Sequence, residues 1–344
     1  MQNTNYMKHY LAIDVGSCYV KVIEGSEKNG RLSVSRMGHF PNPFPGLRNS
    51  LVEREQDAFV KVLKDFLHKN GMGAKNAVSN ISGAGTIIHY FDIPKLSDEE
   101  IKSAINLEMM QVTPGGTKNL EYDYLMFPGK NGGKTVFFVG HHKDKCEFFT
   151  NTLQRSGLKP LIMDHDALAV FNIFNFLNRK HSGPVFLINA GHKTTNLVLA
   201  EGKNGFVLIR DILFGGSNMM ESIAGRKGIP REDAEIYCCK KENADEVKAI
   251  IASDLEDLLP EITASMEYFK TRTGKSLDNL FLTGGSAAVP GMCESLEQNL
   301  KIKTSVWNPI EQMAEMKTSS FPEDVRNRGS SFAVVLGLLL RKIT

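Results

Sequence analysis

Two stretches of this chain repeat one another, and the repeat implies a protein built from two similar halves. Leu11–Gly25 reads Leu-Ala-Ile-Asp-Val-Gly-Ser-Cys-Tyr-Val-Lys-Val-Ile-Glu-Gly, and Phe186–Ala200 reads Phe-Leu-Ile-Asn-Ala-Gly-His-Lys-Thr-Thr-Asn-Leu-Val-Leu-Ala. Shifted by 175 positions, Ile13 falls on Ile188, Asp14 on Asn189, Gly16 on Gly191, Val22 on Leu197 and Ile23 on Val198. Each copy predicts an apolar strand, a tight turn of Gly and small polar residues, and a second β-rich strand. Copies this far apart fit a duplicated domain and not a short solenoid repeat. Each turn carries N–H groups that are not paired across the hairpin. Gly lets the chain approach an anion closely, and clustered N–H groups make a concavity for phosphate. Two such tips facing each other across a cleft would hold the phosphates of one nucleotide.

A third stretch, Leu280-Phe-Leu-Thr-Gly-Gly-Ser-Ala-Ala-Val-Pro-Gly291, runs an apolar strand into a Gly-Gly-Ser turn ahead of a helix. With 344 residues and 42% hydrophobic content the chain can bury a sizeable core and is expected to divide into two domains. A net charge of +2 indicates neither a nucleic-acid footprint nor an acidic tail. Cys18, Cys146, Cys238, Cys239 and Cys293 are odd in number and lack a Cys-x-x-Cys spacing, so they read as reduced thiols of a cytosolic protein. Met1–Tyr10 is polar, with no secretory signal visible. Phe332–Leu340 falls short of the roughly 20 apolar residues a membrane span needs and reads as a buried helix.

Along the chain, Leu32–Met37 predicts a strand, Phe40–Gly46 a proline-rich turn, Asp57–Lys69 a helix with Phe59, Val60, Leu63, Phe66 and Leu67 apolar, and Ala77–Ile81 a strand. Thr86–Ile93 is a strand, and Ser97 with Glu100 forms a capping-box signature opening a helix over Asp98–Gln111. Strands over Tyr122–Phe127 and Thr135–Gly140, around a turn at Gly129–Gly133, and a helix over Lys143–Ser156 ended by Gly157 complete a small open-faced α+β module. Strands are expected over Pro184–Leu199 and Gly205–Leu213, then a helix after Phe214-Gly-Gly216. A helix follows from Ile229, with Pro230 in its first turn, and one long helix over Asp245–Thr273.

The three Gly-rich turns, in this order, resemble the actin-like ATPase superfamily: its first phosphate loop, its second, and its adenosine loop. Asp92-Ile-Pro-Lys-Leu-Ser-Asp-Glu-Glu100, Glu121-Tyr-Asp-Tyr124 and Gly157-Leu-Lys-Pro-Leu-Ile-Met-Asp-His-Asp-Ala-Leu-Ala-Val170 narrow the resemblance to the FtsA and PilM branch, and to the PilM family of type IV pilus assembly within it. The resemblance runs from about Tyr10 to the last residues, and PilM fits better because the chain is short and no amphipathic membrane tail is evident. It implies an α/β, actin-like (ribonuclease H-like) fold of duplicated domains. The first domain would span 8–85, completed by 158–180 and about 322–344, with an α+β subdomain inserted at 86–157. The second would span 181–222 and 276–321, with a helical subdomain at 223–275.

The resemblance also implies a site for ATP or ADP with Mg²⁺. Gly16, Ser17 and Cys18 would offer N–H groups on one side, and Gly191, His192, Lys193 and Thr194 would line the other. Lys21 would add a cation near the phosphates, and Asp14 would orient Mg²⁺ through water, which the ion gives up reluctantly. Gly215 and Gly216 would lie beside the nucleotide, Gly284, Gly285 and Ser286 would form the adenosine loop, and Glu235 would reach the ribose, although Cys238 replaces the usual Lys three residues on. Implied partners are the N-terminal cytoplasmic peptide of PilN, docked near the junction of the first domain and its insertion, with the pilus motor ATPases and inner-membrane platform beyond it.

Asn189 departs from the pattern, which usually has Asp there. Asn accepts a hydrogen bond but carries no charge and takes no proton. Losing one electrostatic contributor of this kind slows turnover by on the order of 10²–10³-fold, while backbone phosphate contacts survive. The expectation is therefore a nucleotide-binding scaffold with weak or absent hydrolysis, in the cytoplasm beside the inner membrane. An active phosphotransferase and an FtsA-like polymerising protein are the alternatives. His141-His142 reads as a surface pair at a strand end, Trp307 as core, and Glu108-Met-Met-Gln111 as core filling.

Overall fold

Two five-stranded sheets share one strand order, and the duplicated hairpins lie at the centre of each. The computed structural model describes residues 9–28, 31–44, 52–129, 132–202, 205–315 and 321–341; the end of the proline-rich turn, part of the turn at Gly129–Gly133 and the first eight residues lie outside them. The first sheet has the order β3 (Arg31–Pro41), β2 (Tyr19–Lys28), β1 (Tyr10–Val15), β4 (Asn76–Asn80), β8 (Lys159–Asp164). The second has β11 (Val207–Ile212), β10 (Thr195–Ala200), β9 (Val185–Ala190), β12 (Asn279–Thr283), β13 (Lys303–Val306). In each, three antiparallel strands continue into two parallel ones. The pairing registers also correspond, Asp14 with Lys21 in the first and Asn189 with Asn196 in the second.

The strands β1, β9 and β10 are buried at every residue. That suits their near-continuous Leu, Ile, Val and Ala content, since a strand covered on both faces has no polar side to alternate. Helices α1 (Glu53–Lys69) and α3 (Lys143–Arg155) cover the first sheet, burying Phe59, Leu63, Leu67, Phe149 and Leu153 in one cluster. Each side chain of this kind, fully buried, contributes roughly 1.5–3 kcal/mol. Helices α4 (Asp166–Leu177) and α12 (Ala333–Leu338) pack against each other beside both sheets, so closely that a Cβ at Gly337 would stand 1.8 Å from the Ala169 carbonyl oxygen. The Phe332–Leu340 run is buried as expected, but as a 3-10 turn followed by a helix of six residues.

A third, antiparallel sheet has the order β5 (Ile87–Ile93), β7 (Lys134–His142), β6 (Leu120–Pro128). Helix α2 (Asp98–Val112), with the capping box of Ser97 and Glu100 in place, buries Ile101, Ile105 and Met109 on one face. Part of the other face, expected to be open, is covered by the second half of the chain, while Leu125 on it stays 48% exposed. Tyr90 stacks on Phe137 with centroids 4.9 Å apart, Phe127 meets Phe206 at 5.3 Å, and Arg272 pairs with Asp92. The last helix of the expected module, α3, gives its apolar face to the first sheet instead.

Remaining differences from the expected elements have local causes. Helix α1 begins at Glu53, before its apolar period does, because Glu53 and Glu55 favour the positive end of a helix. The single helix expected over Asp245–Thr273 is two, α7 (Ala244–Leu255) and α8 (Leu259–Thr273). Pro260 has no N–H and is accommodated only in a first turn, so the helix restarts there. The expected surface histidine His141 is buried, 3% exposed, with its Nε2 3.2 Å from Thr86 Oγ1. Of the Met pair, Met109 is core and Met110 is 57% exposed.

Candidate functional site

The tips of the two hairpins have no room for side chains at their glycines. A Cβ on Gly16 would stand 2.6 Å from the Tyr19 carbonyl oxygen, and one on Gly191 would stand 2.6 Å from that of Thr194. Each turn is held by its glycine carbonyl: Gly16 O accepts from Asn42 Nδ2 at 2.8 Å, while Gly191 O accepts from Gly216 N at 3.0 Å and Ser286 Oγ at 2.9 Å. The N–H groups of Ser17, Cys18, His192 and Lys193 have no hydrogen-bond partner among the described residues. Such groups, with glycine beside them, form an anion cradle.

Two other Gly-rich turns converge on the second tip. Gly215 and Gly216, opening α5 (Gly216–Lys227), would each clash if given a Cβ, at 2.6 Å from Gly191 O and 2.4 Å from Ser286 Oγ. Gly284 has a φ of +99°, and its Cβ would lie 2.4 Å from the Ala190 carbonyl. These contacts leave the backbone of 190–192, 215–217 and 284–286 in one layer, with Gly285 and Lys193 exposed at its edge.

The second tip meets the first half of the chain at Gly83, where a Cβ would stand 3.2 Å from Thr194 Oγ1. The Cys18 thiol is pushed up by burial and by Glu235, against the pull of Lys21, Arg328 and Arg231. The His192 imidazole is pushed down by burial and by Arg231, against Glu235. Both tips thus sense the same two charges, Arg231 and Glu235. Glu235 is exposed on α6 (Ala234–Cys239), whereas Cys238 faces inward and is buried. Arg328 lies with its guanidinium 4.8 Å from the Tyr19 ring, next to the first tip.

Behind the tips lie two polar centres. In the first sheet Lys21 Nζ donates to Asp14 Oδ2 at 2.9 Å, and Asn80 Nδ2 donates to Asp14 Oδ1 at 2.8 Å and to Asp166 Oδ1 at 2.6 Å. Asn80 Oδ1 in turn accepts from Val15 N at 2.9 Å, which fixes the amide's orientation. In the second sheet Asn189 Nδ2 donates to Asn196 Oδ1 at 2.7 Å, and Asn196 Nδ2 donates to Asp211 Oδ1 at 2.7 Å. Asp211 Oδ2 then accepts from Gly83 N and His165 Nε2, both at 3.1 Å, joining the two sheets.

Burial raises the Asp211 carboxyl, but His165 and Asn196 prevail and hold it below the usual carboxylate range. Burial pulls the His165 imidazolium down, while Asp211, Asp166 and Asp164 prevail and raise it. The Ala167 N–H, which donates to His165 Nδ1 at 3.2 Å as the cap of α4, works against that protonation because it needs a free lone pair.

Of the expected residues, Gly191, Gly215, Gly216, Gly284 and Ser286 come together in one layer, and Asp14, Gly16 and Lys21 belong to the first hairpin. The sequence reading missed Asn80, Asp166, His165, Asp211, Arg231 and Arg328. His165 and Asp166 stand inside a stretch used only to recognise the family, and strand-to-helix junctions beside a Gly-turn sheet were the available signal. The others carry no motif. Among the described residues no group of three or more His, Cys, Asp or Glu is placed to hold a metal ion. The N–H groups beside the glycine turns offer backbone anion binding. The residues fit a nucleotide phosphate chain.

Known proteins share this architecture. The family described as type IV pilus assembly protein PilM matches residues 12–343. Among solved structures, a chain of the PilM–PilN type IV pilus biogenesis complex is similar at 21% identity, covering 96% of this chain and 97% of that one, with a TM-score of 0.81. Ethanolamine utilization protein EutJ from Carboxydothermus hydrogenoformans is 12% identical over 96% of this chain and 89% of its own, with a TM-score of 0.58. MreB5 of Spiroplasma citri, bound to AMPPNP, is 11% identical over 96% and 94%, with a TM-score of 0.52. The fold is the actin-like ATPase fold that the duplicated hairpins implied.

Proposed function

The chain belongs to the family of type IV pilus assembly protein PilM, and from that premise we propose that it is a nucleotide-binding scaffold of the pilus assembly complex at the inner membrane. ATP or ADP, with Mg²⁺, occupies the gap between the hairpin tips. Gly16, Ser17, Cys18, Gly191, His192, Lys193 and Thr194 meet the phosphates. Gly215, Gly216, Gly284, Gly285, Ser286 and Glu235 lie toward the nucleoside. Lys21 neutralises charge, and Asp14 orients the metal's water. The observation that supports this most is the pair of N–H-bearing tips, on equivalent hairpins of two sheets with one strand order, both near Arg231 and Glu235.

The partner is the cytoplasmic tail of a PilN-type protein, taken as an extended segment near the start of the third sheet. A cavity of about 240 Å³ opens there between β5 and β11, lined by Thr86, Ile88, Tyr90 and Leu208–Asp211. Edge strands of this kind accept an added strand through their backbone. No helix among the described residues is long and apolar enough to cross a membrane. In this reading the scaffold is held at the membrane, on its cytoplasmic side, by partners such as PilN, the platform proteins and the motor ATPases. Calorimetric titration of the full chain with ADP and ATP, and with a PilN-tail peptide in each nucleotide state, tests the proposal. Saturable binding of both is expected, and absence of nucleotide binding overturns it.

Hydrolysis is weak, because Asn189 offers no charge and takes no proton. One observation favours the alternative, an active ATPase: Asp166 is a buried carboxylate held beside Asp14 by Asn80. Phosphate release decides between them. Fast release that Asp166→Asn abolishes supports the ATPase.

A further inference from the structure

Asn189 is held in one orientation by residues that lie away from the gap. An ionised carboxylate only accepts hydrogen bonds. Asp211 therefore obliges Asn196 to turn its amide NH₂ outward, at 2.7 Å, leaving Asn196 Oδ1 toward Asn189. That oxygen obliges Asn189 to donate its own NH₂, again at 2.7 Å. Asn189 Oδ1 then takes no partner among the described residues, and it is not one of the fully buried unpaired oxygens. It keeps slight solvent contact, two residues before Gly191, and remains available as an acceptor. Asp211 itself is held on its other oxygen by Gly83 N and His165 Nε2, so the polarity of the chain starts at the contact between the two sheets.

We propose that Asp211 is a positioning residue of the nucleotide site: it sets the polarity of an Asn189–Asn196–Asp211 relay so that residue 189 presents an oxygen to the water shell of a nucleotide-bound divalent cation. An Asn locked this way orients a donor as an Asp would, while adding no charge. The inference rests on the nucleotide reading for its ligand, but the relay itself is a property of the fold. It explains why the acid is at position 211 and absent at position 189: one amide, Asn196, cannot turn its NH₂ toward one neighbour without turning its oxygen toward the other. Acids at both ends leave one carboxylate facing a carbonyl oxygen.

A cycle of variants tests this. Asp211→Asn reverses the relay: the amide introduced there keeps its oxygen for Gly83 and His165 and donates to Asn196, which donates to Asn189, whose NH₂ now takes the free position. Affinity for MgADP falls by about tenfold or more, the size of one lost hydrogen bond to a charged centre, and affinity for ADP in excess EDTA changes much less. Asn189→Asp, with two acids in the relay, lowers the melting midpoint of the ligand-free protein and speeds hydrogen exchange at the Gly83 amide. Combined, Asn189→Asp with Asp211→Asn forms a complete relay of reversed sense, and both midpoint and Gly83 protection return most of the way to the wild type. Additive losses in the double variant overturn the relay. A wild type that binds neither MgADP nor ADP overturns the nucleotide reading alone, since the midpoints and the Gly83 exchange decide the relay without ligand.

Discussion

At equivalent positions of the two hairpins, one register holds an ion pair and the other a pair of amides. Asp14 faces Lys21 across β1 and β2 at 2.9 Å, and Asn189 faces Asn196 across β9 and β10 at 2.7 Å. The backbone is the same in both, down to the glycine whose Cβ would strike a carbonyl at 2.6 Å. Duplication thus preserved the anion cradle, which is made of backbone, and left the side chains behind it free to diverge. In the first sheet the charge stays on the hairpin, directly behind the tip. In the second it lies one strand further out, on Asp211, where it fastens the sheets together through His165 and Gly83. The supports differ as well, with one side-chain donor under the first tip and two other turns stacked under the second.

If the second tip depends on that stacked layer, Gly284→Ala carries the largest penalty. Its φ of +99° disfavours any L side chain, and the new methyl would meet the Ala190 carbonyl at 2.4 Å. A loss of about 3 kcal/mol or more is expected from strain and overlap together, read as a drop in the urea midpoint. Next comes Asp14→Ala, which leaves Lys21, with a side chain only 12% exposed, without its partner. Stranding a largely buried charge costs about 3 kcal/mol, whereas Asn189→Ala, which removes only the amide donor to Asn196 Oδ1, costs about 1–2 kcal/mol. Equal losses for Asp14→Ala and Asn189→Ala would break the contrast between an ion pair and an amide pair.

The duplication was legible because it resides in apolar alternation and glycine spacing, both local signals. The same holds for the Ser97–Glu100 cap and for Gly157, whose φ of +83° ends α3 as its glycine predicted. What escaped was long-range. Asn80, Asp166 and Asp211 are ordinary polar residues until parallel strand pairing and the packing of α4 bring them together, at separations of 66 to 128 residues. His141 reads as a strand-end histidine until Thr86 closes over it. The partly covered face of the third sheet escaped for the same reason: the aromatic residue that meets it, Phe206, comes from the second half of the chain.

The contact between sheets should also be sensitive to pH. His165, buried, is raised above its ordinary value of 6.5 by Asp211, Asp166 and Asp164. A raised imidazole contributes stability that is complete below the unfolded value and is lost as pH rises through the folded one. The wild type should therefore lose stability between mildly acidic and mildly alkaline buffer. His165→Gln keeps a donor for Asp211 and an acceptor for Ala167 but does not titrate, so its stability should be flat over that window. A wild-type curve parallel to that of His165→Gln would show that the Ala167 cap keeps the ring neutral throughout.

The smallest effects sharpen the contrast most, because they touch the same atom in both hairpins. Asn42→Ala removes the side-chain donor to Gly16 O, and Ser286→Ala removes the side-chain donor to Gly191 O. Gly191 O keeps the Gly216 N–H at 3.0 Å after its loss, whereas no second donor to Gly16 O is present among the described residues. Asn42 Oδ1 also accepts from Phe44 N, so its removal loosens the strand end as well. A hydrogen bond lost with its acceptor still satisfied costs about 0.5–1 kcal/mol, and one that strands its acceptor costs about 1–3 kcal/mol. Asn42→Ala should accordingly cost more than Ser286→Ala in the same denaturation assay. The reverse order would mean that the layer of turns under the second tip transmits strain and does not share load, and the two hairpins would then differ in rigidity and not only in charge.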